Sequence, residues 1–138
     1  MPAKDIYHNV VKNALQKQGW RITAEPFALQ FRDIDLYIDL GAEKIIVANK
    51  GEEKIAVEVK SFIGKSNIYE LHLAVGQFIH YRMALATEDP QRTLYLAVPS
   101  EVYKDFFTRP FAQASIQTNQ LKLIVYEITQ EEIILWLS

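Results

Sequence analysis

The spacing of apolar residues changes several times along the chain, and each change marks an element. Ile6, Val10, Val11 and Leu15 recur at three- to four-residue intervals, which predicts a helix over residues 4–18, with Gly19 at its stop. Residues 20–23 read as a short strand or extended link, and Glu25-Pro26 as a turn. Over 33–40 the pattern becomes a strict alternation. Ile34, Leu36, Ile38 and Leu40 take one side and Asp33, Asp35, Tyr37 and Asp39 the other, which predicts one strand. After Gly41, residues 43–48 continue as a second strand or a bent extension, 49–52 form a hairpin turn, and 54–60 form a third strand. In that strand Ile55, Val57 and Val59 share one face; Ala56, Glu58 and Lys60 share the other.

A loop at 61–65 leads into a long helix, 67–86. Asn67 and Glu70 have capping-box spacing, and Ile68, Leu71, Val75, Phe78, Arg82 and Leu85 form a mostly apolar stripe. Asp89-Pro90 ends the helix. Residues 93–98 have the continuous apolar character of a buried strand. Helical segments are expected at 100–107, with Ser100 as its N-cap, and at 110–118. A strand at 121–126 and an apolar tail at 131–137, helix or strand, complete the chain. The order αβββαβαβ predicts an α/β fold of the mixed-sheet (α+β) kind, with helices on both faces of a central sheet, in one domain over residues 1–138.

Composition narrows the function classes. The chain has 138 residues, 49% hydrophobic and 23% charged, which fits a globular domain and excludes disorder. It contains no cysteine, so disulfides and thiolate metal sites are excluded. No apolar run is long enough for a membrane span and no secretory signal is visible, so a cytoplasmic protein without membrane contact is expected. The net charge of −2 gives no global attraction to nucleic acid. The balance shifts along the chain: residues 1–65 hold 10 basic and 9 acidic side chains, and residues 66–138 hold 5 and 8.

Candidate chemistry concentrates on the third strand. Glu58 and Lys60 are two apart and share a face, and a charged pair on an apolar strand must be paired or bind a metal. Asp39 lies nineteen residues upstream on the preceding meander, where a hairpin can set it beside Glu58. Two adjacent carboxylates repel, and a divalent cation relieves that repulsion; hard oxygen ligands suit Mg²⁺ (or Mn²⁺). Such an ion would polarise a phosphoryl oxygen, and Lys60 could orient water or stabilise developing charge. Asp35 and Glu43 are rivals for the first carboxylate. Glu-x-Lys alone is common on strands, and its plain reading is a cross-strand ion pair. His8 shares a helix face with Lys12, and Asp5 lies one turn earlier.

The order αβββαβ with Asp39 … Glu58-Val59-Lys60 resembles the PD-(D/E)xK nuclease superfamily, which includes restriction enzymes and Holliday-junction resolvases. The resemblance implies a restriction-endonuclease-like core, with Asp39, Glu58 and the Val59 carbonyl holding the metal and Lys60 assisting the attacking water. It implies a supporting role for Gln77 on the following helix, and Tyr81, one turn on, could line the same cleft. Resolvase-like relatives often add an acidic residue from the first helix, where this chain has Asp5 and His8 but no Glu. Nucleases of this class often act as homodimers.

Longer stretches carry a nearer resemblance. Met1-Pro2-Ala3-Lys4-Asp5, Asp35 to Glu43 (DLYIDLGAE), Ile55 to Phe62 (IAVEVKSF) and Leu94 to Pro99 (LYLAVP) are similar to the cyanobacterial XisH family of fdxN-element excision controlling factors. That resemblance implies a role in excising a DNA element during heterocyst development, with DNA, a XisI-like protein and a separate recombinase as partners. Two functions follow as expectations: a metal-dependent endonuclease, or a non-catalytic accessory factor that regulates the recombinase.

Overall fold

In the computed structural model, residues 3–46, 51–64 and 66–138 are described. Of the expected turn at 49–52, residues 49 and 50 lie outside them, and 51 and 52 open a strand. Helix α1 (Ala3–Lys17) ends where Gly19 takes φ +90°, a conformation that costs glycine little. Strand β1 (Arg21–Ala24) precedes a hairpin of β2 (Phe27–Phe31) and β3 (Ile34–Ile38). Strands β4 (Leu40–Ile46) and β5 (Gly51–Val59) follow, then α2 (Asn67–Glu88) and β6 (Arg92–Pro99). A short α3 (Ser100–Val102) runs into a π-helical turn, Tyr103–Phe107; α4 (Pro110–Asn119), β7 (Leu123–Glu127) and β8 (Glu132–Leu137) complete the chain.

Six strands form one mixed sheet in the order β1-β4-β5-β6-β7-β8, with β5, β6 and β7 parallel and the other pairings antiparallel. The mixed α/β architecture expected from the sequence is thus present. Crossover helices α2 and α4 pack on one face over Ala56, Leu94, Leu96, Leu123 and Val125. The other face carries α1, whose Val11, Ala14 and Leu15 are fully buried with Val57, Ala97 and Ile124.

The strand expected over 33–40 is broken at Asp39. Ile34 to Ile38 pairs with β2 in a separate two-stranded sheet, while Leu40 opens β4 of the main sheet. Ile38 and Leu40 share a parity but bury in opposite cores: Ile38 with α2, Leu40 with α1. Ile34, expected to face the core, is 53% exposed. The alternation runs through Asp39 unbroken because both halves are strands, so periodicity alone conceals the switch between sheets. Two cap assignments also change. Ser66 caps α2, its Oγ accepting the Tyr69 amide at 3.2 Å, in place of Asn67. Pro99 stands at the N-cap of α3 with no side-chain bond, so Ser100 is the first helical residue.

Candidate functional site

The site lies at the carboxyl end of β5, where the chain leaves the sheet for α2. The β4–β5 ladder ends on the pair Leu40 and Val57, and one further step of that register sets Asp39 opposite Glu58. The two residues hold each other. The Asp39 amide donates to Glu58 Oε1 at 3.2 Å, and the Val59 amide donates to Asp39 Oδ2 at 2.8 Å. Because Asp39 has left the β3 ladder, its amide is available for a carboxylate.

Glu58 is one of few polar side chains buried in the core, 8% exposed. Its pKa is raised to about 7, first by burial and then by the charge of Asp39, against the opposing pull of Lys60. Lys60 Nζ stands 3.6 Å from Glu58 Oε2, an ion pair at the long end of the range. The Lys60 backbone is pinned from two sides: its amide donates to the Ala97 carbonyl (2.9 Å), and its carbonyl accepts the Tyr126 hydroxyl (3.0 Å). Burial holds the Tyr126 hydroxyl well above its ordinary pKa, keeping it a donor. Tyr126 was not singled out by sequence, where it read as one more apolar strand position.

A cleft of about 420 Å³ opens over this end of the sheet, lined by Asp39, Val59 and Lys60, by Asp5, Tyr7 and His8 of α1, and by Ser61 to Gly64 and Glu70. His8 is already engaged, its Nε2 bonded to Glu25, which also takes Lys12 at 2.9 Å. On α2, Tyr81 has its hydroxyl pKa pushed up to about 12, by burial and then by the charges of Glu58 and Asp39, so it lies within electrostatic reach of the pair. Gln77, one turn earlier, has a buried Oε1 with no hydrogen-bond partner among the described residues, and does not line the cleft.

The rival carboxylates stand elsewhere. Glu43 is bound to Arg92 at 3.1 Å and to Arg21 at 3.4 Å, and the Arg92 guanidinium lowers its pKa. Asp35 is exposed on β3 opposite Gln30. Neither lines the cleft.

As a cation site the donor set is lean. Among the described residues no group of three or more His, Asp or Glu side chains converges. Two carboxylates, one in a site that resists its charge, fit only an ion that keeps several waters, as Mg²⁺ does.

The family model of the XisH protein matches residues 1–134. This chain belongs to the XisH family. A solved XisH family protein from Nostoc punctiforme PCC 73102 is 46% identical, with 97% of this chain and all of that chain covered and a TM-score of 0.89. An fdxN element excision controlling factor protein from Anabaena variabilis gives the same identity and TM-score, over 97% of this chain and 99% of its own. No curated protein matches. The XisH resemblance expected from the sequence is therefore shown over almost the whole chain. No helix among the described residues is long and apolar enough to cross a membrane.

Proposed function

We propose that this XisH family member processes DNA during excision of a DNA element, hydrolysing a phosphodiester at Asp39, Glu58 and Lys60. The carrying observation is the carboxylate pair itself: Asp39 and Glu58 are locked together by reciprocal amide bonds although burial and mutual repulsion oppose their joint ionisation. A site held against such cost is a candidate for function. The restriction-endonuclease-like resemblance supplies the reaction class, and the name of the Anabaena variabilis protein supplies the process.

In this reading Asp39, Glu58 and the Val59 carbonyl hold Mg²⁺ or Mn²⁺, which when bound neutralises the pair and polarises a phosphoryl oxygen. Lys60 would bind the phosphate or position the attacking water. Gln77 offers its unpartnered oxygen to a water or nucleotide donor, and Tyr81 stays protonated as a donor at any physiological pH. The test is cleavage of duplex, branched and single-stranded DNA with each metal. Activity that disappears in Glu58→Ala and Lys60→Ala supports the reading; cleavage untouched by both substitutions refutes it.

A second reading rests on a different observation. Lys60 already stands 3.6 Å from Glu58, so the site can balance its own charge without an ion. The chain would then be a non-catalytic accessory factor that binds a XisI-like protein or DNA and regulates a recombinase. Capture of the partner by a Glu58→Gln, Lys60→Met variant as strong as by the parent, with no cleavage under any metal, would favour it.

A further inference from the structure

The solvent side of α2 carries a pattern that the chain's own fold does not explain. Ile68, Leu73, Ile79 and Met83 project from it, each between 37% and 54% exposed. His72 and His80 lie among them, also exposed. The charged residues of the helix, Glu70, Arg82 and Glu88, fall outside this face by helical spacing. Such an uncharged strip on an exposed helix marks an interface core.

Gly76 sits on the same face, near the middle of the helix. Glycine is the poorest helix former after proline. Nothing in the monomer calls for it: a methyl group there would meet no atom within 4 Å, and the residue does not have positive φ. The flanking residues are symmetric about it in kind. Three positions to either side stand Leu73 and Ile79, four positions away His72 and His80, and seven away Tyr69 and Met83. Two antiparallel copies of α2 crossing at Gly76 would set each residue against the other member of its pair, the self-complementarity of a two-fold interface.

We propose that this face of α2 is the two-fold interface of a homodimer, with Gly76 on the axis admitting the partner helix at close range. The apolar side chains present on the order of 500 Å², as much as a typical monomer leaves in one patch. Pairing two copies removes at most about 1,000 Å², the lower limit for a biological interface and the size of a weak one. The patch continues into a cleft of about 620 Å³ beside the β2–β3 hairpin, where Phe31, Ile34, Leu36 and Met83 are joined by Arg32 and Asp33 of the turn. The symmetry about Gly76 selects a second copy over an unrelated protein, which would need no such pairing. The inference does not depend on the nuclease reading.

The chain has no cysteine, which makes the test direct. Sedimentation equilibrium should find a dimer at micromolar concentration. Gly76→Cys has room for its side chain and should oxidise to a cross-linked dimer, whereas Gln117→Cys on α4 should not. Gly76→Arg should keep its circular dichroism and weaken association by about thirtyfold or more. A wild-type chain that sediments as a monomer overturns the proposal and leaves the face to a different protein. A dimer that Gly76→Arg leaves intact overturns it as well.

Discussion

Asp39 and Glu58 each accept a backbone amide from the other's strand: Asp39 donates its own amide to Glu58, and Val59, next to Glu58, donates to Asp39. The two bonds fix both carboxylates in orientation while their charges oppose each other. The pair is thus geometrically settled and electrostatically unsettled, and its titration is the accessible signature of that conflict.

Replacing Glu58 with Gln should stabilise the fold at alkaline pH. The folded pKa of about 7 lies above the ordinary 4.5, so between these values the folded chain holds a proton that the unfolded chain has lost. Stability from this group therefore falls as pH rises from 4.5 to 7 and stays low above that, by an amount on the order of 3 kcal/mol. Gln keeps the oxygen that accepts from Asp39 and cannot ionise. Urea unfolding should show Glu58→Gln more stable than the parent at pH 8 by about 1–3 kcal/mol and equal to it near pH 4.5. Loss of stability at pH 8 would mean that the Lys60 pairing outweighs burial.

Divalent metal and protons should compete for the same carboxylate. If Mg²⁺ binds at Asp39 and Glu58, its apparent affinity should fall about tenfold per pH unit below 7, because one proton must leave Glu58 for each ion bound. Calorimetric titration with Mg²⁺ and Mn²⁺ at pH 8 and pH 5.5 measures this, with Asp39→Asn as the control that abolishes it. Affinity independent of pH would place the ion away from Glu58.

Tyr126→Phe removes one hydroxyl and keeps the buried ring. The Lys60 carbonyl loses its partner, a cost of about 1–2 kcal/mol. The effect should be local: hydrogen exchange at the Lys60 amide should quicken while that of Ala56 and Val57, deeper in β5, stays unchanged. A uniform rise in exchange along β5 would show that the hydroxyl supports the sheet as a whole and not the site alone.

The legible parts of this fold are those whose period belongs to one environment. Helix α1 buries one stripe in a single layer, and β6 is buried on both faces, so the spacing of the one and the continuous apolar run of the other follow directly. The hairpin is less legible: Phe27, Leu29 and Phe31 alternate as a strand should, but the run is only five residues long and follows a Glu-Pro turn signal directly. Motif and meander order pair Asp39 with Glu58, yet nothing in the alternation shows the chain changing sheets there. The rivals Asp35 and Glu43 could be separated from it only by register, which a sequence does not print. Burial of the Tyr126 hydroxyl against Lys60, sixty-six residues away, lies wholly in tertiary packing.

Arg92 was likewise silent in the sequence, and its removal should be the most damaging single change outside the apolar core. Its side chain is 5% exposed and touches β2, β4, β5 and the turn after α2. Nε donates to Asp89 (2.9 Å), Nη1 to the Ile55 carbonyl (2.9 Å) and Nη2 to Glu43 (3.1 Å), while the guanidinium lies 4.5 Å from the centre of the Phe27 ring. It therefore ties β4 and β5 to β6 at the end of the sheet away from Glu58, and keeps Glu43 committed there. Arg92→Leu leaves Asp89 and the buried Ile55 carbonyl without their cation and Glu43 with only the longer Arg21 contact, a loss of about 3–5 kcal/mol. Arg92→Lys should recover only part of it, because one ammonium cannot reproduce three directed bonds and a planar stack. Adding Glu43→Gln to Arg92→Leu should restore more than 1 kcal/mol by removing one stranded charge, roughly the coupling expected of residues in one network. Additive losses in that double variant, measured by chemical denaturation, would show that Glu43 is solvated well enough without Arg92 and that the cluster is three separate contacts.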